Sequence, residues 1–429
     1  MTRGAVAPVP GPGGPARRDL PVRSGAMSDA AAPPAAPAAA GPGYQVTVWA
    51  LALGQVLNWA VLFYTFSALV LPMDRDLGWG RPVLMGAFTL GLLVSGLSSY
   101  LAGAAIDRGH GRAVMVAGTA LAALGVAGWA LVTAPWQFYA VWAVLGAASA
   151  MCLYEPAFAV LTKRYPTRYR EGITTLTLVG GFASTICFPA VAALTAAGLD
   201  WRQTLWVLAA VMAAMVPLHA WALRGPMLVA GPAHEDPEAD ATLHEALRHA
   251  GFWLLTLCFT LYAFAQAALW AHVMPAFDDM GVATDDALWV LAAIGPAQVA
   301  GRLVYARFGR AWSLRRLGAL VLAAMPVSMA LLATGRGLAA LLVFAVVFGV
   351  ANGLITIVRG GLIPEYFGRS HVGRIGGVMS GVGQIARAAA PVMAALLVAG
   401  LGGYRALIWA LGGLGVVAVL SFWVARPAR

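Results

Sequence analysis

Four charged side chains lie within long apolar segments of this sequence: Glu155, Arg302, Arg359 and Arg387. A charge at the centre of a bilayer costs at least about 2.5–3.5 kcal/mol, so such residues commonly bind a substrate, carry a proton or form a buried ion pair. A carboxylate suits proton transfer or pairing with a cation, and guanidinium groups suit the binding of carboxylates. The sequence therefore predicts a polar site inside a membrane protein.

Each of these charges also has a structural interpretation. Glu155 is followed directly by a proline that kinks its helix, and its carboxylate could pair with Arg359 or with a loop arginine. Arg302 has Gln298 on the same helical face, and it could bind a substrate or extend to the lipid headgroups. Arg387 could line a substrate cavity, neutralise Glu155 or extend to the lipid headgroups. Arg359, near the cytoplasmic end of its helix, is better interpreted as an interface or latch residue.

The composition supports a membrane location. Of the 429 residues, 60% are apolar and 11% are charged, whereas soluble domains carry about 25% charged residues. The 50 glycines and 15 tryptophans are also typical of membrane helices. The three cysteines lie in apolar runs without a CxxC pair or a histidine at metal-ligand spacing, so we expect no disulfide framework, no metal site and no cofactor.

Twelve apolar segments approach the length of about 20 residues that spans a bilayer. We expect an all-α polytopic membrane protein whose 12 transmembrane helices form two pseudo-symmetric six-helix bundles. Residues 1–43 are rich in Ala, Pro and Gly and are expected to be a disordered cytoplasmic arm, in which Met1 or Met27 could be the start. The other divisions are a first bundle at 44–224, a central cytoplasmic loop at 225–250 and a second bundle at 251–425.

The distribution of basic residues predicts the orientation. The arm, the even-numbered loops and the C-terminus hold 20 of the 28 Lys and Arg residues, and the odd-numbered loops hold five. Because basic residues remain on the cytoplasmic side, both termini are expected to be cytoplasmic. The formal net charge of +10 is thereby explained without a nucleic-acid partner.

The two halves of the chain repeat one another at an offset of about 200 residues, as transporters often do. Gly181 precedes Pro189 by the same spacing by which Gly383 precedes Pro391. Each proline starts a similar apolar run, PAVAAL in the first half and PVMAAL in the second. The repeat predicts a site between two related bundles.

The loop after the second segment carries a recognisable motif. Its sequence places Gly103 ahead of the pair Asp107-Arg108 and ends with Gly111-Arg112. It resembles the signature G-x-x-x-D-R-x-G-R of the major facilitator superfamily, with one residue inserted. Gly103 would allow close helix approach, Asp107 would accept hydrogen bonds from a helix N-terminus or arginines, and Arg108 and Arg112 would bind carboxylates. We expect these four residues to form a conformational latch.

The equivalent loop of the second half has Ala306 where the motif has aspartate, which predicts a weaker second latch. Within the superfamily, the sequence is most similar to the bacterial monocarboxylate-porter-like cluster, on the pairs Trp201-Arg202 and Gly301-Arg302 and on the run 364–369. The resemblance implies that Arg302 binds the substrate carboxylate. Gln298 stands where proton-coupled carriers often have aspartate.

In the superfamily, helices 1, 4, 7 and 10 line the cavity. Their uncharged polar residues are therefore candidate substrate ligands, together with Arg302, Gln298 and Arg387. Each could instead form a hydrogen bond between helices, and a lone histidine is commonly structural. These candidates are Asn58, Tyr64, Tyr154, Tyr262, Gln266, His272 and Asn352.

The function that these features predict is secondary active transport of a small organic solute across a bacterial-type inner membrane. A monocarboxylate is the leading substrate, Glu155 is the candidate proton carrier of a symporter, and the chain is expected to be monomeric. Proton-coupled efflux of drugs or metalloids is the main alternative. No GxxxxGK[ST] sequence occurs, which argues against ATP as the driving force. A membrane enzyme or receptor is a remote alternative, because no catalytic motif or sizeable soluble domain is evident.

Overall fold

The computed structural model describes residues 41–225, 240–309 and 312–427, together with Met1, Thr2, Gly4 and Ala7. The predictions for the arm, including the choice between Met1 and Met27, therefore lie almost entirely outside the described residues. So does most of the predicted central loop, although a short helix at Leu243–Arg248 falls within it. All helices belong to the unit Ala40–Arg429.

The described residues of this unit form twelve long helices and contain no strand. Their apolar composition and length suit a bilayer. In chain order they are α1 Tyr44–Leu77, α2 Arg81–Ala105, α3 Gly111–Ala130, α4 Pro135–Arg164, α5 Tyr169–Ala196, α6 Trp201–Ala222, α7 Ala250–Asp279, α8 Thr284–Val304, α9 Leu314–Thr334, α10 Gly337–Phe367, α11 Val372–Leu401 and α12 Tyr404–Val424.

The turn between α2 and α3 decides the count of membrane spans. Length and hydropathy alone give 11 candidate spans, because Pro82–Ala130 counts as one stretch of 49 residues. A straight helix of that length would measure about 74 Å, more than twice a bilayer core. Gly109 breaks it with a φ of +91°, a conformation open chiefly to glycine. The stretch therefore forms two spans, and the prediction of a twelve-helix fold is confirmed.

The helices form two halves, α1–α6 and α7–α12, that meet along two seams. The main seam is α2 against α11, and a second joins the first part of α5 to α8 and α10. We call the end of the bundle that carries the α2–α3, α4–α5 and α10–α11 turns the closed face. At the opposite end, the open face, the main contacts of Thr65–Leu77 in α1 and Ala183–Ala196 in α5 are with their own half. A cleft therefore opens between the halves on that side.

Three helices of the first half are interrupted near the cleft. In α1 a π-helical turn occupies Ala60–Tyr64, in α4 Leu153 is extended with φ −79° and ψ −159°, and α5 is broken after Gly180. Pro156 explains the second break, because its missing N–H leaves the carbonyl of Cys152 without its helical partner. Interrupted helices are tolerated in membranes where they border a cavity.

Candidate functional site

Arg302 of α8 crosses from the second half to the first. It is only 4% exposed, and its Nε donates to the Gly353 carbonyl of α10 at 2.9 Å. A Cβ on Gly181 would overlap its Nη1, so the guanidinium lies directly against the break in α5. Nη1 has no hydrogen-bond partner among the described residues. A buried, partly unpaired cation is thus held at the interface of the two halves.

Two tyrosines of the first half surround this guanidinium. Tyr154 is buried beside Gly180 of α5, where a Cβ would contact its hydroxyl at 2.5 Å. Tyr64 of α1 lies near Ser184 and within electrostatic range of both Arg302 and Arg387. The two arginines, from α8 and α11, therefore approach a common site at Tyr64.

Arg387 lies half-buried at the cleft. It shares a pocket with Trp59, Phe63 and Gln384, and the part of the chain that the structure describes gives it no hydrogen bond or ion pair. The structure does not pair it with Glu155, which was one interpretation of the sequence. Arg302 and Arg387 together give the site two positive charges without an acidic partner among the described residues.

The carbonyl group of Cys152, released by the break in α4, is bound by amides of α1. Asn58 donates to the Cys152 carbonyl at 2.8 Å, and Gln55 donates to the carbonyls of Cys152 and Leu153 at 2.8 and 3.3 Å. These bonds fix the broken helix against α1 close to Tyr154. The side chain of Asn58, a sequence-predicted substrate ligand, is thus engaged in holding the site together.

Replacing Asn58 with alanine is expected to lower the free energy of unfolding by about 1 kcal/mol, the order of interhelical hydrogen bonds in membranes. Gln55 still donates to the same carbonyl, so the fold should survive. Substrate affinity should be unchanged if the amide serves the helix break. Thermal unfolding in detergent and ligand binding, measured on the same sample, test this. Lost affinity with unchanged stability would instead make Asn58 a substrate ligand.

The other predicted ligands lie on the second half. Gln266 of α7 donates to the side-chain oxygen of Asn352 in α10, and His272 lies 2.9 Å from the Pro391 carbonyl of α11. The hydroxyl of Tyr262 is buried without a hydrogen-bond partner among the described residues. Gln298 is half-buried. Among the described residues, none of these side chains forms a hydrogen bond with Arg302 or Arg387.

Glu155 pairs with Arg359 across the two halves. The first belongs to α4 and the second to α10, and their side chains form an ion pair with 30% and 22% exposure. The pair lines a small cavity toward the closed face, together with Ser99, Ser380 and glycines of α2 and α11. Arg359 also interacts electrostatically with Arg387. Opening the closed face must separate this pair.

Asp107 binds the N-terminus of α11 across the closed face. Its two carboxylate oxygens accept from the backbone N–H groups of Gly373 and Arg374 at 2.9 and 2.8 Å. A carboxylate at a helix N-terminus is favoured by the free N–H groups and the helix dipole. Gly103 lies behind it, and a Cβ there would overlap the Gly373 carbonyl. The first-half loop and the second half are therefore in direct contact.

The cation beside Asp107 is Lys163, which sequence reasoning placed only as a topological charge. Its Nζ lies 3.5 Å from Asp107 Oδ1 and donates to the Ser370 carbonyl at 2.8 Å. Arg108 is exposed, and Arg112 donates to the Ala220 carbonyl of its own half at 3.0 Å. The expectation that Arg112 binds a carboxylate is therefore not met in this conformation, because the end of α6 occupies it.

A second link at the closed face compensates for Ala306. Arg170, at the start of α5, pairs with Glu365 near the end of α10. Asp240 of the central connection accepts from the backbone N–H groups of Arg369 and Ser370 at 2.8 and 2.7 Å. The pair Arg170–Glu365 thus links the halves at the second seam, and Asp240 attaches the central connection to the turn between α10 and α11.

The sequence profile of the Major Facilitator Superfamily matches residues 51–336. The chain belongs to the major facilitator superfamily. Members of this family are transporters and not enzymes. The match supports secondary transport in general, by a multi-pass membrane protein. Among curated proteins, no relative matches the sequence.

Solved transporters share the fold of this superfamily member. The human organic anion transporter TETRAN superposes with a TM-score of 0.69 at 17% identity, covering 89% of this chain and 100% of that chain. The E. coli fucose:proton symporter FucP gives 0.68 at 16% identity, with 90% and 100% covered. The proton:xylose symporter XylE gives 0.66 at 14% identity, with 90% and 97% covered. At these identities the likeness establishes the fold alone.

Proposed function

We propose that this major facilitator protein transports a small organic anion, with a monocarboxylate as the leading substrate, by alternating access. The observation that carries the proposal is the pair Arg302 and Arg387, two cations from the second half that approach Tyr64 without an acidic partner in the described chain. A substrate carboxylate would supply the missing charge and accept hydrogen bonds from guanidinium groups. A cationic drug would meet repulsion here, which disfavours cation efflux.

Alternating access follows from the asymmetry of the two faces. Gly103, Asp107 and Lys163 hold the closed face, whereas the cleft beside Arg387 leads to the open face. We place the closed face in the cytoplasm of a bacterial-type inner membrane, with both termini on that side, from the distribution of basic residues. The described conformation is then open to the outside. We propose a monomer as the transporting unit, since the site lies within one chain.

Glu155 is our candidate for proton coupling. It is paired with Arg359 while the closed face is shut. When that face opens, the carboxylate loses its partner in a medium of low dielectric constant, where the neutral form is favoured. A proton that Glu155 binds from the outer side before opening would therefore ease separation of the pair, and the proton would be released to the cytoplasm once water from that side reaches the carboxylate. The same pair makes Glu155 part of the contact between the halves.

The experiment is uptake of radiolabelled monocarboxylates into proteoliposomes with an imposed inward proton gradient. The wild type should show saturable uptake that the gradient stimulates. Glu155→Gln should lose this stimulation while it retains exchange of substrate, because the amide cannot carry the proton. The matched control is Glu365→Gln, which breaks the other ion pair between the halves and should keep the stimulation. If the proton gradient still stimulated uptake by Glu155→Gln, the role of Glu155 in proton coupling would be refuted.

A further inference from the structure

The wall of the cleft between the two arginines is aromatic. Trp59, Phe63 and Tyr64 of α1, which we call the aromatic wall, lie at and just before the π-helical turn. The ring centroids of Trp59 and Phe63 are 5.6 Å apart, and those of Phe63 and Tyr64 are 5.4 Å apart. Trp59 also lies 5.3 Å from Tyr154, the neighbour of Arg302. The wall therefore extends along one side of the charged site.

This wall borders the opposite half as well as the core of its own, where the ring centroids of Phe63 and Phe88 are 5.5 Å apart and those of Tyr64 and Phe188 are 6.0 Å apart. Trp59 and Phe63 border the same pocket as Gln384 and Arg387 of α11, and Tyr64 interacts with Arg302 of α8 and with Arg387. All three side chains remain partly exposed although they lie in the middle of a helix. The pocket has a volume of about 20 Å³, room for a water molecule but not for a ring. A larger group would lie along the wall.

Trp59 and Phe63, four residues apart, share one face of an ordinary helix, and the π-helical turn brings Tyr64 toward the same side. An inserted residue rotates the following part of a helix, and such turns occur frequently at functional sites. The Ala60 carbonyl accepts from the backbone N–H of Thr65, and it is also bound by Thr65 Oγ1 at 3.0 Å and Cys187 Sγ at 3.3 Å. The turn is thus held by specific contacts, and the rings keep their position beside the arginines.

We propose that the transported anion is a carboxylate with an apolar, ring-bearing body, such as an aromatic monocarboxylate. Its carboxylate binds at Arg302 and Arg387, and its ring packs on Trp59, Phe63 and Tyr64. This inference rests on the proposed anion transport and narrows it. Aromatic rings pack favourably edge to face or offset on one another. A short hydrophilic acid would leave the aromatic wall in contact with water and would gain little binding free energy from it.

The test is equilibrium binding of acetate, phenylacetate and benzyl alcohol to the purified full chain in detergent. Phenylacetate should bind at least about tenfold more tightly than acetate, because each buried methylene equivalent adds about fourfold in affinity. Benzyl alcohol, which lacks the carboxylate, should bind more weakly than phenylacetate. Binding of both acids to Arg302→Ala shows how far their affinity depends on this arginine.

The discriminating variant is Trp59→Ala. It should weaken phenylacetate binding by about tenfold, the scale of lost aromatic contacts, and acetate binding by less than about twofold. The matched control is Trp49→Ala in the same helix, whose side chain is 56% exposed and which should change neither affinity. If Trp59→Ala fails to fold, Phe63→Leu is a milder change in the same wall. It allows the same comparison of the losses in phenylacetate and acetate affinity.

The outcomes separate the two proposals. Equal affinity for acetate and phenylacetate, with both lost in Arg302→Ala, would overturn the aromatic substrate class and leave the anion site standing. Binding of neither acid would overturn both proposals. Benzyl alcohol bound as tightly as phenylacetate would also overturn the inference, because apolar partitioning would then explain the affinity. If Trp59→Ala lost the same affinity for both acids, the Trp59 side chain would have only a structural role.

Discussion

Replacing Arg302 with alanine is expected to abolish substrate binding, with affinity falling by about 100-fold or more. In the proposed complex, Arg302 and the substrate carboxylate form a buried charge pair. Truncating one member of such a pair costs about 3–5 kcal/mol, because the other charge remains unpaired. The guanidinium is 4% exposed and lies at the junction of α5, α8 and α10, so water cannot readily replace it. Arg302→Lys should recover only part of the affinity, since an ammonium lacks the planar fork of donors.

The measurement is binding of a radiolabelled monocarboxylate to purified protein. Arg108→Ala is the matched control, because it removes a positive charge from an exposed position of the closed face. It should bind normally. Retained affinity in Arg302→Ala, in protein that remains monodisperse, would show that the cation has a structural role.

Replacing Gly103 with alanine is expected to destabilise the closed face. The added Cβ would overlap the Gly373 carbonyl, a backbone atom that cannot rotate away. Overpacking of this kind costs about 1–3 kcal/mol, which changes a conformational equilibrium by about 5- to 150-fold. The variant should therefore favour a conformation in which the Asp107 end is open, and its transport rate should fall.

Pulsed electron paramagnetic resonance can measure this shift. Spin labels at His110→Cys and Arg316→Cys, two exposed positions on different halves, should report a longer distance in Gly103→Ala than in the unsubstituted glycine background. The three native cysteines are buried and would be replaced by alanine. Gly400→Ala in α11 is the control, since nothing lies within 4 Å of its added Cβ. If the distance between the labels were unchanged in Gly103→Ala as well as in Gly400→Ala, close packing at Gly103 would not be what keeps this face closed.

The fold could be predicted from the sequence because each membrane span carries its own signal. A bilayer requires an apolar segment of sufficient length, and that requirement is local. The breaks were harder to foresee. Pro156 indicated a kink in α4 but not that Leu153 would be the extended residue, and nothing in the sequence marks the π-helical turn at Ala60–Tyr64.

The site was only partly predictable, because helix order does not determine helix rotation. The charges Glu155, Arg302 and Arg387 were found from their cost in lipid. Which of them pair depends on contacts between distant helices. The sequence predicted a helix N-terminus as a partner of Asp107 but did not identify α11, and the link to Lys163 was missed. Trp59 carried no signal, since an aromatic residue in an apolar segment is equally compatible with the core.

The most direct test of anion transport is solute counterflow in proteoliposomes that contain this protein alone. Vesicles loaded with unlabelled monocarboxylate are diluted into a trace of the same labelled acid, in parallel with a neutral and a cationic organic solute of similar size. Transient accumulation of the labelled acid, dependent on Arg302 and not seen with the other two solutes, is the predicted result. Accumulation of the cation or of the neutral solute but not of the acid would contradict the proposed function.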